Sequence, residues 1–201
     1  MSWTGDPSYP GETPITQQQR EQVNRHKAFA LWFTGLPGSG KTTLAQALEA
    51  ELFARNYQCY VLDGDRLRHG LNRDLGFSPQ DRAENIRRVG EVARLMVDAG
   101  IIVISAFISP YLADQDKVRS LFPPGHFFEV FLKCSLEICE KRDPKGLYRK
   151  ARQGVIYSFT GVSAPYEPPV APELKICTGE LSVGESLDVL LDFVLKLICP
   201  P

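Results

Sequence analysis

The octapeptide GLPGSGKT, Gly35 to Thr42, carries two glycines five positions apart, followed by a lysine and a threonine. Glycines let the backbone wrap inward until successive N–H groups face one point, which suits phosphate oxygens. A lysine ammonium then reaches the outer phosphates, and a threonine hydroxyl offers an oxygen ligand to Mg²⁺. This is the P-loop pattern, and it predicts binding of a nucleoside triphosphate, ATP being the expected one. The pattern alone does not say what receives the phosphoryl group, because GTP switches, motor ATPases and small-molecule kinases share it. No NKxD-type guanine-reading motif is evident, and the apolar run IIVISAF ends in Ala106 and Phe107 rather than in an acid.

The acids stand elsewhere. In LDGDRLRHGLNRDLGFS, Leu62 to Ser78, Asp63 and Asp65 flank a glycine at the end of an apolar run, and arginines follow. One carboxylate can hold Mg²⁺, and the other can orient an attacking hydroxyl. Phosphoryl transfer through a loose transition state asks for positioning more than for strong basicity. The two acids are expected on one side of a continuing strand, with Asp65 alternatively capping a helix that begins at Arg66. Arg68 and Arg82 are candidate anion clamps, since a guanidinium fork matches phosphate or sulfate oxygens better than an ammonium does. Asn85 shares a helix face with Arg82. Phe77, between Gly76 and Ser78, suits stacking on a flat ligand better than anchoring a core.

These groups need elements to hold them. AFALWFTG, YQCYVL, IIVISAF, HFFEVFLK and ELKICT read as short buried strands, and the segments between them carry helical spacing. Leu44, Ala47, Leu48 and Leu52 share one helix face, and Ile86, Val89, Ala93 and Met96 share another. Pro79 and Gly100 suit the two ends of the second helix, and Ser135 suits an N-cap. A short helix at Leu147 to Gln153 and a C-terminal helix through Leu187, Leu190, Leu191, Val194 and Ile198 complete the reading. Strands alternating with helices predict an α/β fold, a central parallel sheet with helices on both faces. Residues 143–172 lack a strong period, which marks a functional lid or a disordered segment. The first 25 residues, rich in Pro, Gly and Gln, read as an extended or disordered arm before a domain at 26–201.

Composition bounds the function. The 201 residues suit one domain with a lid, 43% are hydrophobic, and the net charge of −1 gives no basic field for nucleic acid. The longest apolar run is too short to span a bilayer, and no basic n-region with an apolar core opens the chain, so neither membrane insertion nor secretion is expected. Cys59, Cys134, Cys139, Cys177 and Cys199 are odd in number and form no CxxC pair. They read as reduced thiols of a cytoplasmic protein, not as a zinc site.

The blocks GLPGSGKT, LDGDRLRHGLNRDLGFSPQDRAENIRRVGEVA, SAFISPY, DPKGLYRKARQG and FTGVSAPYEPP, in that order, closely resemble adenylyl-sulfate kinase (APS kinase), from roughly Gln18 to the C-terminus. The resemblance implies a P-loop nucleoside-triphosphate hydrolase-type fold and transfer of the ATP γ-phosphoryl group to the 3′-hydroxyl of adenosine 5′-phosphosulfate. The products are 3′-phosphoadenosine 5′-phosphosulfate and ADP. It assigns Gly35, Gly38, Ser39, Gly40, Lys41, Thr42 and Thr43 to the ATP loop, with Thr42 and Asp63 as metal ligands. Lys41, Asp63, Asp65 and Lys145 are the expected catalytic set, with Asp65 orienting the acceptor hydroxyl and Lys145 approaching the phosphosulfate or the transferring group. Arg68, Arg82 and Asn85 would hold the acceptor, Phe77 and Phe159 would sandwich its adenine, and Ile108 and Ser109 would line the pocket. Arg142 would lie over the ATP base. Ser109 is read as a pocket-wall hydroxyl, not a covalent phosphate carrier. The family also implies a homodimer and a functional link to ATP sulfurylase. Two departures stand out: Arg66 replaces the usual Asn, and ICTGE replaces an IDT-like segment. Another small-acceptor P-loop kinase and a non-catalytic nucleotide sensor are the alternatives. GFSPQDR with FTG…PYE argues against the first, and the intact Lys41, Thr42, Asp63, Asp65 and Lys145 against the second.

Overall fold

The computed structural model describes residues 15–198. Residues 1–14 of the arm expected over 1–25, and the thiol of Cys199, lie outside the described residues. Five strands, β1 (Ala30–Thr34), β2 (Cys59–Asp63), β3 (Ile102–Ala106), β4 (Phe127–Leu132) and β5 (Leu174–Ile176), form one sheet in the order β2-β3-β1-β4-β5. Every pairing is parallel. The helices are α1 (Gln17–Asn24), α2 (Lys41–Ala54), α3 (Gly64–Arg68), α4 (Pro79–Asp98), α5 (Leu112–Arg119), α6 (Leu136–Arg142), α7 (Leu147–Arg152) and α8 (Val183–Ile198).

The sheet is apolar on both faces because helices cover both, as an all-parallel sheet requires. Side chains alternate along β1. Leu31 and Phe33 pack with Leu44, Leu48 and Leu52 of α2 and Leu190 and Val194 of α8. Ala30 and Trp32 face the other way, toward Ile86, Val89 and Ala93 of α4. Each of these large apolar side chains, removed from water, contributes about 1.5–3 kcal/mol. A third, smaller cluster draws on residues 143–172 and joins Cys139, Tyr148, Ala151 and Phe159 to Leu36, Leu136 and Ile156.

The chain leaves β1 through the P-loop and α2, then skips past β3 to form β2. The strand order thus reverses at β1, and the crevice beyond the strand carboxyl ends is where ligands bind in such sheets. Thr34, Asp63, Ala106 and Leu132 all end strands on that edge.

Two expectations give way here. Residues 17–24 are helical, not extended. Thr16 and Gln19 form a capping box, each side chain bonded to the other's backbone N–H, and Arg25 closes the helix in the left-handed region at φ 58°. Strand β2 does not continue past Asp63, so Asp63 and Asp65 do not share a strand face. Helix α3 starts at Gly64, and Asp63 is its N-cap, accepting from the N–H groups of Asp65 and Arg66. The cap expected of Asp65 is therefore made by Asp63, whose extended backbone (φ −97°, ψ 136°) presents its carboxylate to the turn.

Candidate active site

The loop between β1 and α2 takes its shape from glycine. Gly40 caps α2 at φ 96°, a left-handed conformation that side chains disfavour. At Gly35, with φ 153°, a Cβ would stand 2.8 Å from the Leu132 carbonyl oxygen and 2.7 Å from Ser39 Oγ, so β4 and the loop close only on a residue without one. Lys41 opens α2 and is buried, its Nζ donating to the carbonyls of Gly35 at 2.9 Å and Leu36 at 2.7 Å. Burial draws its pKa down from the ordinary 10.5 to about 8. The loop's outer side is held by three separate elements. The Tyr148 hydroxyl donates to Pro37 O at 2.8 Å, Arg142 Nη1 to Gly38 O at 3.5 Å, and Thr178 Oγ1 to Ser39 O at 2.9 Å.

One position into α2, Thr42 Oγ1 donates to Asp63 Oδ2 at 2.9 Å. The other carboxylate oxygen, Asp63 Oδ1, accepts from Asp65 N at 3.0 Å. The Asp65 side chain then pairs with Lys145 Nζ from the turn before α7. A run of polar contacts thus passes from the start of α2 past the end of β2 to Lys145 in the segment 143–172. Thr42 and Asp63 bring a hydroxyl and a carboxylate together, hard oxygen donors that suit Mg²⁺. Among the described residues no group of three or more His, Cys, Asp and Glu gathers as a metal cage. A metal that keeps phosphate and water ligands needs none.

Across the crevice, Arg68 Nη1 donates to the carbonyls of Leu75 and Gly76, both at 3.1 Å, and its guanidinium lies 4.3 Å from the Phe77 ring centre. Arg82 reaches further: Nε to Phe77 O at 3.0 Å, Nη1 to Thr160 Oγ1 at 3.0 Å, Nη2 to Ser158 O at 2.7 Å. It ties the start of α4 to the lid segment. Asn85 is buried and accepts from Asn72 Nδ2 at 2.9 Å. Phe77 is 61% exposed, whereas Phe159 is buried and meets Tyr148 edge to face. Ser109 holds φ 44°, its hydroxyl accepting from Trp32 Nε1 at 2.9 Å. The Ile108 carbonyl accepts from Thr34 Oγ1 at 2.7 Å.

The structure therefore joins Thr42, Asp63, Asp65 and Lys145 in one line of contacts, keeps Lys41 within the phosphate loop, and sets Arg68 and Arg82 beside Phe77. Comparison with known proteins adds the family. The family described as adenylylsulphate kinase matches residues 27–177. The chain belongs to that family. An adenylyl-sulfate kinase of Geotalea uraniireducens is 60% identical over 180 residues, covering 90% of this chain and 86% of its own length. One from Oceanobacillus iheyensis is 55% identical over 183 residues, covering 91% of this chain and 92% of its own. Among solved structures, the Mycobacterium tuberculosis APS kinase CysC, in complex with AMPPNP and APS, superposes with a TM-score of 0.81 at 45% identity, covering 84% of this chain and 98% of its own. Membership also accounts for the fold, a parallel α/β sheet of P-loop kinase type.

The two segments singled out by the resemblance have local outcomes in this chain. Arg66 is exposed and leans away from the crevice, its guanidinium 5.9 Å from the Tyr60 ring centre. In ICTGE, Thr178 supplies the bond to Ser39 O, and its own carbonyl accepts from Arg142 Nη2 at 2.5 Å. The Arg142 guanidinium, expected over a base, is thus anchored between the phosphate loop and the segment after β5. Thr178 and Tyr148 escaped the reading of the sequence, since nothing in their local pattern announces a bond to a loop more than a hundred residues away.

Proposed function

We propose that this chain transfers the γ-phosphoryl group of ATP to the 3′-hydroxyl of adenosine 5′-phosphosulfate, releasing 3′-phosphoadenosine 5′-phosphosulfate and ADP. Family membership supports the reaction. The observation that supports the residue roles is the contact line Thr42–Asp63–Asp65–Lys145, which runs from the phosphate loop to the lid segment.

In this reading, residues Gly35 to Thr43 wrap the ATP phosphates, and Lys41 exchanges its carbonyl partners for β- and γ-oxygens. Thr42 and Asp63 hold Mg²⁺, whose contribution is to neutralise charge on the phosphates. Asp65 accepts a hydrogen bond from the acceptor 3′-hydroxyl and aims it at the γ-phosphorus. Lys145 leaves its exposed pairing with Asp65 for the transferring group. Such a pairing is worth about 0–1 kcal/mol, so releasing it costs little. Arg68, Arg82 and Asn85 hold the anionic acceptor, Phe77 and Phe159 border its adenine, and Ile108 and Ser109 wall the slot. Arg142 borders the ATP base. Closure of residues 143–172 over both nucleotides excludes water, the competing acceptor.

The assembly is proposed to be a homodimer working in the cytoplasm beside an ATP sulfurylase, which would supply its substrate. Among the described residues no helix is long and apolar enough to cross a membrane. The deciding experiment measures ADP release with adenosine phosphosulfate and with plain AMP as acceptors. A strong preference for the sulfated compound is expected, and equal rates with AMP would overturn the substrate assignment.

A further inference from the structure

A phosphate loop has an outer side as well as an inner one. When its N–H groups face the anion, its carbonyls need partners elsewhere. The partners of Pro37, Gly38 and Ser39 come from α7, from α6 and from the segment after β5. The first of them differs from the others. Tyr148 sits in the lid segment, three residues beyond Lys145, and is 3% exposed. Its hydroxyl holds Pro37 O. Its ring meets Phe159 edge to face, with centroids 5.0 Å apart and planes at 81°. Its backbone N–H donates to Asp143 Oδ1 at 3.0 Å, and Asp143 Oδ2 accepts from Arg149 N at 3.1 Å, which fixes the turn carrying Lys145. One side chain therefore touches the donor loop, the Phe159 ring and the base of the Lys145 turn.

We propose that Tyr148 is a positioning residue that holds the phosphate loop, the Lys145 turn and Phe159 in one register, so that donor phosphorus and acceptor oxygen meet in line. The proposal deepens the function assigned above and rests on its placement of Lys145 and Phe159. It treats the phenol as a permanent donor, and burial, which raises its pKa above the ordinary tyrosine value, keeps the proton in place. The ring alone would fill the cluster formed with Cys139 and Ala151. The hydroxyl is what joins that cluster to the nucleotide cradle.

Tyr148→Phe keeps the ring and removes the joint. With the full chain, two quantities are measured: AMPPNP affinity by calorimetry without acceptor, and kcat for phosphosulfate phosphorylation at saturating substrates, well below the melting temperature. The net worth of one hydrogen bond predicts AMPPNP binding weaker by roughly 2- to 12-fold and a fall of similar size in kcat. A purely structural phenol would lower thermal stability and leave kcat of the folded enzyme unchanged, so an unchanged kcat overturns the proposal. Unchanged AMPPNP affinity overturns it too. Tyr157→Phe, on an 83% exposed ring of the same segment, is the control expected to match wild type in both. A wild-type chain that bound AMPPNP but left the sulfated acceptor untouched would refute the substrate assignment instead. The affinity measurement would then still decide whether Tyr148 holds the loop.

Discussion

The donor side and the acceptor side of the crevice are built by different means. On the donor side, backbone does most of the holding: left-handed glycines, carbonyls gripped by three elements, and two charged side chains already buried, although Thr42 is exposed. Lys41 and Asp63 are both 8% exposed. On the acceptor side Asn85, Ser109 and Phe159 are buried, but the charged groups are long, at least partly exposed and bonded to neighbouring side chains and carbonyls. The Asp65 and Lys145 side chains are 66% and 58% exposed, and Arg68 covers the Phe77 ring. A preformed cradle suits a ligand whose phosphates are the same in every turnover. A slot of mutually satisfied side chains gives up only weak surface interactions when a charged, flat ligand displaces them. Substitutions on the acceptor side should therefore strike transfer and acceptor binding while sparing the fold.

The largest expected effect comes from Asp65→Asn. Asp63 caps α3 through the backbone N–H of Asp65, not through its side chain, so the exchange leaves that cap and the Thr42 contact intact. Transfer should fall by roughly 10²–10⁴, the usual weight of a positioned proton acceptor, with AMPPNP affinity within about twofold by the same reasoning. Parallel loss of nucleotide binding would show that the acid belongs to the donor side. Next comes Lys145→Ala, where loss of a cation at the transferring group should cost about 10²–10³ in kcat. The melting temperature should barely move, because exposed ion pairs contribute about 0–1 kcal/mol. Turnover equal to wild type would remove this ammonium from the reaction.

Phe77→Ala tests the slot by binding alone. Base stacking on an aromatic ring is worth about 1–3 kcal/mol, yet the ring now gives up an exposed cation–π contact with Arg68 worth about 0.5–1 kcal/mol. Central values of about 2 and about 0.75 kcal/mol leave a net loss of about 1.2 kcal/mol, which predicts a roughly 8-fold rise in acceptor KM with ATP KM unchanged. A rise in both constants would mean that Phe77 supports the whole crevice and that the two sides are not separable.

The same division governs what could be read from the residues. Buried strands such as Ala30–Thr34 are continuous apolar runs, helices such as α2 and α4 carry a clear stripe, and the phosphate loop is a local pattern, so the scaffold of both sides and the donor cradle were legible. Helix ends were legible where the signal is local, as at Pro79 and Ser135, whereas the cap made by Ser78 was not read. Helix α1 was missed because it buries no residue and so shows no stripe, although Thr16 and Gln19 carry its capping signature. The break after Asp63 was half read: its signal is the local cap of α3, but that cap was expected from Asp65 and is made by Asp63. On the acceptor side, Arg68 and Arg82 could be read as anion-binding types, but charge does not say which anion. The family resemblance supplied that, and it did not reveal that Arg82 spans to Ser158 and Thr160.

The smallest effect is a pH dependence, and it separates the two sides by sign. Lys41 on the donor side has its pKa lowered by burial to about 8, against 10.5 for a free lysine. ATP capture needs the ammonium, so kcat/KM for ATP, which reports the free enzyme, should fall above about pH 8 by up to tenfold per unit. Bound phosphates favour the protonated form, so kcat should hold its plateau to higher pH. Stability should move the opposite way. Between about pH 8 and 10.5 the unfolded chain carries more protons on this lysine than the folded chain does, so its contribution to folding stability rises with pH. Alkaline loss of ATP capture in a chain that this group does not destabilise would locate the titration at the phosphate loop. With ATP saturating, the ammonium is already engaged, and kcat/KM for the acceptor should stay level across the same window. A profile for ATP that is flat to pH 9.5 would mean that the carbonyls of Gly35 and Leu36 hold the charged form against burial, and that the donor cradle is more polar than its exposure suggests.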